Sequence, residues 1–287
     1  MQLKLRTEIR VNPRPGLLTH DRPIILLGSC FSDNIGSRLA QRGFTVCYNP
    51  LGPVYNAAAM AAQAHLIASC ATVEPDSLFE HQGLWRHWLA HTLLARANRA
   101  EAAAAINREL DRVRALLTDP VAPLLCLTLG TAWAFTLNDG SGLTVSNCHK
   151  VPAARFNRRL MPLAEVTDSL RDTIATLGRP GSHTIVTVSP IRHLADGLDG
   201  NSLSKATLRL SADSVTSADV TYFPAFEALV DDLRDYRFYT PDMTHPTEQA
   251  ADYVYAIFEE AYATADTRAT ASRALAEHRR LAHRPLI

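Results

Sequence analysis

The stretch Pro23-Ile-Ile-Leu-Leu-Gly-Ser-Cys-Phe-Ser32 governs the interpretation of the whole chain. Its apolar part ends at Gly28 and is typical of a β-strand that is buried on both faces. Apolar residues then recur at roughly helical spacing, and Ser32 or Asp33 could cap the helix that they predict. The stretch therefore predicts a strand and a helix, with Cys30 in the turn between them.

Two later stretches repeat the pattern of an apolar strand followed by polar residues. They are Pro123-Leu-Leu-Cys-Leu-Thr-Leu-Gly130 and Thr184-Ile-Val-Thr-Val-Ser189, and helical segments separate all three strands. Alternating strands and helices predict a three-layer α/β/α domain with a mostly parallel central sheet and helical insertions. Ligands bind at the carboxyl ends of such strands, so the loops after Gly28, Gly130 and Ser189 should meet in space.

The length and composition are those of an ordinary globular domain. The chain has 287 residues, and we expect a single domain over residues 1–287, with about residues 268–287 as an exposed tail. The 29 basic and 29 acidic side chains cancel, which argues against nucleic acid or an anionic membrane as a partner. No apolar run approaches the ~20 residues of a membrane span, so none is expected.

The cysteines favour a reducing compartment. There are five, at irregular spacings and without a Cys-x-x-Cys pair, which argues against a disulfide framework or a structural zinc site. The first residues carry positive charge but no continuous apolar stretch, unlike a secretory signal. We therefore expect a cytoplasmic protein, and the sequence does not predict its oligomeric state.

Cys30 has the position of a catalytic nucleophile. A residue in a turn between a strand and a helix lies at the positive end of the helix dipole, beside free backbone N–H groups. A thiolate would be stabilised there, and the same N–H groups could hold an oxyanion. A free cysteine can equally be a small buried hydrophobe. Ser29 and Ser32 are alternative nucleophiles in the same turn.

A second motif, Pro241-Asp-Met-Thr-His-Pro246, precedes the last predicted helix. At this spacing on a turn, Asp242 can hold the imidazole of His245 in one tautomer and stabilise its charged form. The same spacing also occurs in ordinary surface turns. Together with Cys30, the motif predicts a nucleophile, a base and an orienting acid at the carboxyl edge of the sheet.

A nucleophile after the first strand and an Asp-x-x-His-Pro loop before the last helix resemble the SGNH (GDSL-type) superfamily of esterases and acyltransferases. The run Gly28-Ser-Cys-Phe-Ser32 resembles more closely the GSCFA family, which is named after this motif and is grouped with the SGNH-like proteins. The resemblance extends over most of the chain, with further matches in order at residues 6–8, 49–56, 129–133, 147–150, 188–193, 201–205 and 232–239.

The resemblance implies an SGNH-like (flavodoxin-like) fold and a role for each matching residue. The first block of the superfamily reads Gly-Asp-Ser, so Cys30 takes the place of the nucleophilic serine and Ser29 that of the aspartate. His245 matches the general base, and Asp242 matches the acid that orients it. Gly52 matches the glycine whose backbone N–H, together with that of Cys30, forms the oxyanion hole.

One block of the superfamily is altered in this chain. Its Gly-x-Asn-Asp pattern supplies an asparagine that binds the oxyanion, but this chain has Gly130, Thr131, Ala132 and Trp133 at that place. The loss of one such donor reduces the rate by roughly 10²–10³. Asn147 or Asn56 could supply the missing amide, and the sequence does not choose between them.

Several polar residues near the predicted strand ends are candidates for binding the substrate. Arg192 could bind a carboxylate or phosphate group, or form a structural ion pair. His149 could line the pocket or close a turn, and Lys205 is a further, weaker candidate. The full set is Ser29, Asn56, Gly130, Thr131, His149, Ser189, Arg192 and His193. No compact ligand set predicts a metal site, and no cofactor is expected.

The resemblance implies a hydrolase or acyltransferase that acts on an ester, thioester or amide through a covalent acyl-Cys30 intermediate. Its partners would be a small-molecule acyl donor and a small-molecule acceptor. Two alternatives stay open. One is a serine esterase that uses Ser29, and the other is a catalytically idle scaffold that binds a carbohydrate or an acylated ligand.

Overall fold

The structure is a computed structural model in which residues 7–282 are described. The strands are β1 (Ile24–Gly28), β2 (Val46–Tyr48), β3 (Phe79–His81), β4 (Leu84–Arg86), β5 (Leu124–Leu129), β6 (Trp133–Leu137), β7 (Phe156–Leu160), β8 (His183–Val188) and β9 (Val220–Phe223). The helices are α1 (Cys30–Gln41), α2 (Ala57–Ala68), α3 (Arg99–Leu117), α4 (Leu163–Leu177), α5 (Gly197–Ser214), α6 (Ala225–Glu227), α7 (Glu248–Tyr262) and α8 (Ala265–Ala282), and a π-helical segment, Ala228–Leu233, continues α6. Short 3₁₀ turns lie at Pro75–Ser77, Thr92–Leu94, Ala153–Arg155, Leu194–Asp196 and Tyr236–Phe238.

Five strands form a parallel central sheet in the order β2-β1-β5-β8-β9. Helices cover both of its faces because successive strand residues point to opposite sides. Ile25 and Leu27 of β1 belong to one apolar cluster with residues of α2, α3, α4 and α5. Ile24 and Leu26 belong to a second cluster with residues of α1, α7 and α8. The architecture confirms the predicted three-layer α/β/α fold with a parallel sheet.

The strand order changes direction between β1 and β5. From β1 the chain passes to β2 on one side, and it later returns to β5 on the other. In an open parallel sheet, the loops diverge at such a point and leave a crevice at the carboxyl edge. Gly28 ends β1 there with a φ of +147°, and a Cβ on it would lie 2.2 Å from the carbonyl oxygen of Thr128. Glycine is therefore required where β1 approaches β5.

Two antiparallel strand pairs are inserted between the units of the sheet. β3 pairs with β4, and β6 pairs with β7. Trp133, the first residue of β6, comes four positions after the end of β5. The second pair therefore lies directly beyond the carboxyl edge of the sheet, where it can form a wall of the crevice.

The C-terminal segment is helical rather than an irregular tail. Most of α8 is exposed, and Ala271 is its buried contact with the rest of the domain. The predicted tail of about residues 268–287 is thus an exposed helix as far as Ala282, and residues 283–287 lie outside the described part of the chain. Of the helices between residues 7 and 282, none combines the length and the hydropathy needed to cross a bilayer.

Candidate active site

Cys30 is the first residue of α1 and directly follows the turn at the end of β1. The N-cap of this helix is Ser29, whose Oγ accepts the backbone N–H of Phe31 at 3.2 Å. The predicted cap at Ser32 or Asp33 is therefore wrong, and the helix begins at Cys30. The hydroxyl of Ser29 caps it by accepting a free amide of the first turn. Cys30 is half-buried, and its sulfur lies where the dipole of α1 is positive.

His245 and Asp242 lie on a tight loop before α7. Oδ2 of Asp242 is 2.6 Å from Nδ1 of His245, so the ring donates its Nδ1–H to the carboxylate. Oδ1 of Asp242 accepts the backbone N–H groups of Thr244 and His245 and the hydroxyl of Thr240. These hydrogen bonds hold the pKa of Asp242 well below its ordinary value. The carboxylate therefore fixes the tautomer of His245, and it leaves Nε2 free to act as a base.

The structure brings the nucleophile and the base together. Nε2 of His245 lies 3.9 Å from Sγ of Cys30, within the reach of a long hydrogen bond to sulfur. The side chains of His245 and Asp242 are about half exposed, at 48% and 50%. Sulfur, imidazole and carboxylate thus lie in a contiguous series, with the thiol half-buried and the other two groups about half exposed.

The thiol at rest is protonated. Burial raises the pKa of Cys30 above its ordinary value, and the nearby charge of Asp33 raises it further. A hydrogen bond from Tyr55 and the positive charge of Lys205 act in the opposite direction. The expected stabilisation of a thiolate by the helix terminus is therefore outweighed by desolvation. A thiol in this state needs a base, and His245 is the base within reach.

A cavity of about 400 Å³ opens beside Cys30. Its walls are largely apolar and aromatic, and polar groups gather near the sulfur. The lining residues are Cys30, Tyr55, Asn56, Thr131, Trp133, Phe135, Val145, Ser146, Asn147, Cys148, Ile191, Arg192, His193, Thr244 and His245. A space of this size can hold a small molecule beside the thiol.

Three groups can donate to an oxyanion at this cavity. The N–H of Cys30 is the first amide of α1, a position at which the helix itself supplies no acceptor. Oδ1 of Asn56 accepts the N–H of Ala59 at 2.8 Å, and Oδ1 of Asn147 accepts that of His149 at 2.7 Å. Each amide is thereby oriented, and neither Nδ2 has an acceptor in the described part of the chain. The structure brings both predicted asparagines to the cavity.

Gly52 is wrongly predicted as an oxyanion donor. Its backbone N–H donates to the carbonyl of Asn49 at 2.7 Å and closes the turn after β2. Gly52 has a φ of +85° and packs against His91, and it does not line the cavity. The requirement for glycine at this position therefore comes from the turn and from the close approach of His91.

The serines near the turn are structural. Ser29, Ser32 and Ser189 are each fully buried. The Ser29 hydroxyl donates to Oγ of Ser189 at 2.9 Å, and Oγ of Ser189 also accepts the N–H of Ile191. These bonds tie the end of β1 to the loop after β8. A nucleophile must be reachable by substrate, so the burial argues against Ser29 and Ser32 in that role.

Gly130 and Thr131 support the cavity from behind. Both backbone N–H groups donate to the carbonyl of Tyr55, at 2.9 and 2.8 Å. The Thr131 hydroxyl also lies 3.1 Å from Oγ of Ser204 on α5. Thr131 lines the cavity with its polar atoms engaged, and Gly130 does not line it. The altered block therefore shapes the site through its backbone.

His149 is wrongly predicted as a substrate-binding residue. It is buried, its Nε2 donates to the carbonyl of His87 at 3.0 Å, and its Nδ1 accepts the hydroxyl of Thr92 at 3.1 Å. Its ring packs against Phe79 and Trp88. Since both nitrogens are engaged, His149 closes a turn behind Asn147. The sequence also allowed this second interpretation, in which His149 closes a turn.

Arg192 and His193 lie on the far wall of the cavity, after β8. The N–H of Arg192 donates to the carbonyl of Thr244, which connects this wall to the loop that carries His245. The Arg192 guanidinium lies 4.1 Å from the ring centre of Tyr239, and no carboxylate pairs with it within residues 7–282. The ring of His193 meets Tyr55 edge-on at 5.8 Å. Arg192 is therefore a cation that lines the cavity without an anionic partner in the described part of the chain.

Tyr55 and Trp133 are site residues that the sequence did not single out. Tyr55 contacts the thiol, and Trp133 forms part of the apolar wall. Tyr55 stands beside Asn56 within the matching segment 49–56, which is the signal that could have identified it. Trp133 stands in the matching segment 129–133, but an aromatic residue after a strand is as typical of a core as of a pocket. No group of three or more His, Cys, Asp or Glu side chains within residues 7–282 is arranged to hold a metal ion.

A model of the GSCFA family matches residues 23–258 of the chain. Searches of the curated proteins and of the solved structures gave no match. The matched segment begins just before β1 and ends within α7, so it contains Cys30, Asp242, His245 and the whole central sheet. It covers far more than half of the sequence, and the chain belongs to the GSCFA family.

Proposed function

We propose that this protein is an SGNH-like hydrolase or acyltransferase that acts through a covalent acyl-Cys30 intermediate. The observation that carries the proposal is the relay from Sγ of Cys30 to Nε2 of His245, at 3.9 Å, and from Nδ1 to Asp242, at 2.6 Å. Nucleophile, base and orienting acid in contact are the constellation of covalent acyl transfer. Their order along the chain, first helix and last loop, supports the SGNH-like assignment.

The first half of the reaction follows from the geometry. His245 takes the proton of Cys30, and the thiolate attacks the carbonyl carbon of an ester, thioester or amide. The N–H of Cys30 and an asparagine amide, from Asn56 or Asn147, stabilise the resulting oxyanion. The imidazolium then protonates the leaving alcohol, thiol or amine, and the C–X bond breaks. An acyl-cysteine thioester remains in the cavity.

The second half transfers the acyl group. Neutral His245 removes a proton from water, an alcohol or an amine, which attacks the thioester carbon. The tetrahedral intermediate collapses, the thiolate leaves, and the imidazolium returns its proton to sulfur. The apolar cavity wall favours a small hydrophobic acyl body, and the acceptor decides between hydrolysis and transfer.

The test is intact-mass spectrometry after incubation with acetyl, butyryl, benzoyl and succinyl N-acetylcysteamine thioesters. We expect one acyl group on the wild-type protein, none on Cys30→Ala, and slower acylation in His245→Ala. Cys70 is exposed, so Cys70→Ser is the matched control and should acylate as wild type does. Equal acylation and turnover in Cys30→Ala would overturn the proposal.

A catalytically idle binding scaffold is the second candidate. It is favoured by the raised pKa of Cys30 and by the length of the contact between thiol and imidazole. A scaffold would bind an acylated ligand in the cavity without forming an adduct. Binding of the thioester panel by calorimetry, with no mass change and no turnover, would support this candidate.

A further inference from the structure

Lys205 is a buried cation at the floor of the site. It lies on α5 and is 3% exposed, and its Nζ donates to the carbonyls of Gly130, at 2.7 Å, and Ser189, at 2.8 Å. These carbonyls follow the ends of β5 and β8. One ammonium group therefore joins two adjacent strand ends at the carboxyl edge of the sheet.

Each of the two carbonyls stands at the start of a segment that contributes residues to a wall of the cavity. Gly130 begins the loop that carries Thr131 and Trp133, and Ser189 begins the loop that carries Arg192. Ser189 also accepts the hydroxyl of Ser29, the N-cap of the helix that begins with Cys30. A single side chain thus sets the spacing of both walls and is connected to the residue before the nucleophile.

No carboxylate pairs with Lys205 within residues 7–282. A buried ammonium without a counter-ion is costly, and burial accordingly lowers the pKa of Lys205 to about 7. The titratable groups on which its charge acts are Cys30, from α1, and His193, from the loop after β8. Burial, with a smaller contribution from this charge, lowers the pKa of His193 to about 4, so His193 is neutral when Lys205 titrates. Cys30 is then the group on which a negative charge can form.

We infer that Lys205 is a positioning residue that fixes both cavity walls and supplies the positive charge against which the thiolate of Cys30 forms. The inference rests on the proposed function of Cys30. A neutral donor could form the two hydrogen bonds to the carbonyls of Gly130 and Ser189. A positive charge near Cys30, in contrast, also changes the reactivity of the sulfur. The two contributions differ in their dependence on pH.

The test measures the rate at which iodoacetamide alkylates Cys30 as a function of pH. Peptide mass spectrometry distinguishes this cysteine from the others. Lys205→Gln keeps an amide donor and removes the charge. At pH 6, where Lys205 carries its proton, we expect alkylation of Cys30 to be several-fold slower in Lys205→Gln than in wild type, because a nearby positive charge lowers the pKa of a thiol. The difference should shrink as the pH rises through about 7, where wild-type Lys205 becomes neutral.

Ser204→Ala is the matched structural control. Ser204 is the neighbour of Lys205 on α5, and its hydroxyl lies 3.1 Å from that of Thr131 and accepts the N–H of Ala132. The substitution loosens the same loop without changing the charge, so any effect should not vary between pH 6 and pH 8. Should Lys205→Gln fail to fold, Lys205→Met carries the same test, because an unbranched apolar side chain suits a buried position.

The outcomes separate the inference from the proposed function. A slower, pH-dependent alkylation in Lys205→Gln together with a slower alkylation in His245→Ala supports both. If His245→Ala is slow but Lys205→Gln matches wild type or Ser204→Ala at every pH, the charge has no role and the inference alone fails. If His245→Ala reacts as fast as wild type, the proposed function of Cys30 fails first.

Discussion

Asp242 and His245 are joined twice, by a 2.6 Å contact from Oδ2 to Nδ1 and by a backbone N–H that donates to Oδ1 at 3.0 Å. Asp242→Asn preserves the size of the side chain but presents an amide to the ring. We expect kcat to fall by about 10² or more with KM nearly unchanged, because the ring is then free to adopt the wrong tautomer. Since the pKa of Asp242 is depressed, protonation of this carboxylate does not contribute to any loss of activity in mildly acidic solution. Steady-state kinetics between pH 5 and 8 measure both effects.

Asn56→Asp separates the two candidate oxyanion donors. The aspartate keeps an oxygen for the N–H of Ala59 and so keeps the cap of α2, but it removes the Nδ2 donor. We expect kcat to fall by roughly 10²–10³ with the melting temperature unchanged. Asn147→Asp is the matched variant, since it retains the bond to the N–H of His149. A large effect at Asn147 alone would assign the role to that residue instead.

Arg192→Leu should change the choice of acyl group. Arg192 lines the cavity, and its guanidinium has no carboxylate partner in residues 7–282, so it is available to an anionic substrate tail. We expect kcat/KM for a succinyl thioester to fall at least about tenfold relative to that for the butyryl thioester. Because the comparison uses the ratio of the two kcat/KM values, a general loss of activity does not affect it. An unchanged ratio would show that Arg192 is held by Tyr239 for structural reasons only.

Acid should destabilise the fold through His149. Burial lowers its pKa to about 4, whereas the unfolded chain has the ordinary value near 6.5. The unfolded state therefore binds the proton first, and stability is lost as the pH falls from about 6.5 towards 4. We expect this residue to contribute about 2 kcal/mol to the loss between pH 7 and pH 5. Urea denaturation at both pH values should show a smaller difference for His149→Gln than for wild type.

Gly28→Ala should be strongly destabilising. The added Cβ would lie 2.2 Å from the Thr128 carbonyl oxygen, and the φ of +147° disfavours any L side chain. We expect a loss of about 3 kcal/mol or more in the free energy of unfolding. Gly140→Ala, at φ +85° with nothing within 4 Å of the new Cβ, should cost only about 1 kcal/mol. Equal losses at the two sites would mean that the contact with β5 relaxes at little cost.

The fold was predictable because the buried strands are short apolar runs that end at glycine or serine. Gly28, Gly130 and Ser189 all lie at the carboxyl edge of the sheet, as the alternation of strands and helices predicts. The approach of Cys30 to the Asp242–His245 pair came from two motifs at opposite ends of the chain. Candidate catalytic residues in short motifs can be predicted from the sequence because each motif fixes its own local geometry.

The errors have a common cause in local hydrogen bonding. Gly52 and His149 stand in motifs that match the family, but a turn uses the amide of Gly52, and both ring nitrogens of His149 are engaged. The backbone angles of a turn decide which of its atoms form hydrogen bonds, and residue types alone do not specify those angles. Tyr55 was missed for a related reason, because its partner Cys30 lies outside its own motif. Lys205 was a weaker candidate for substrate binding, and its bonds to the carbonyls of Gly130 and Ser189 join segments that are distant in the sequence.

The loop that carries the imidazole runs directly into α7, whose Tyr255 and Tyr262 are fully buried in the apolar cluster that contains Ile24 and Leu26. During synthesis, the sulfur emerges from the ribosome more than two hundred residues before its base. The contact between Sγ of Cys30 and Nε2 of His245 can therefore form only after both ends of the domain have been synthesised and α7 has packed against the sheet.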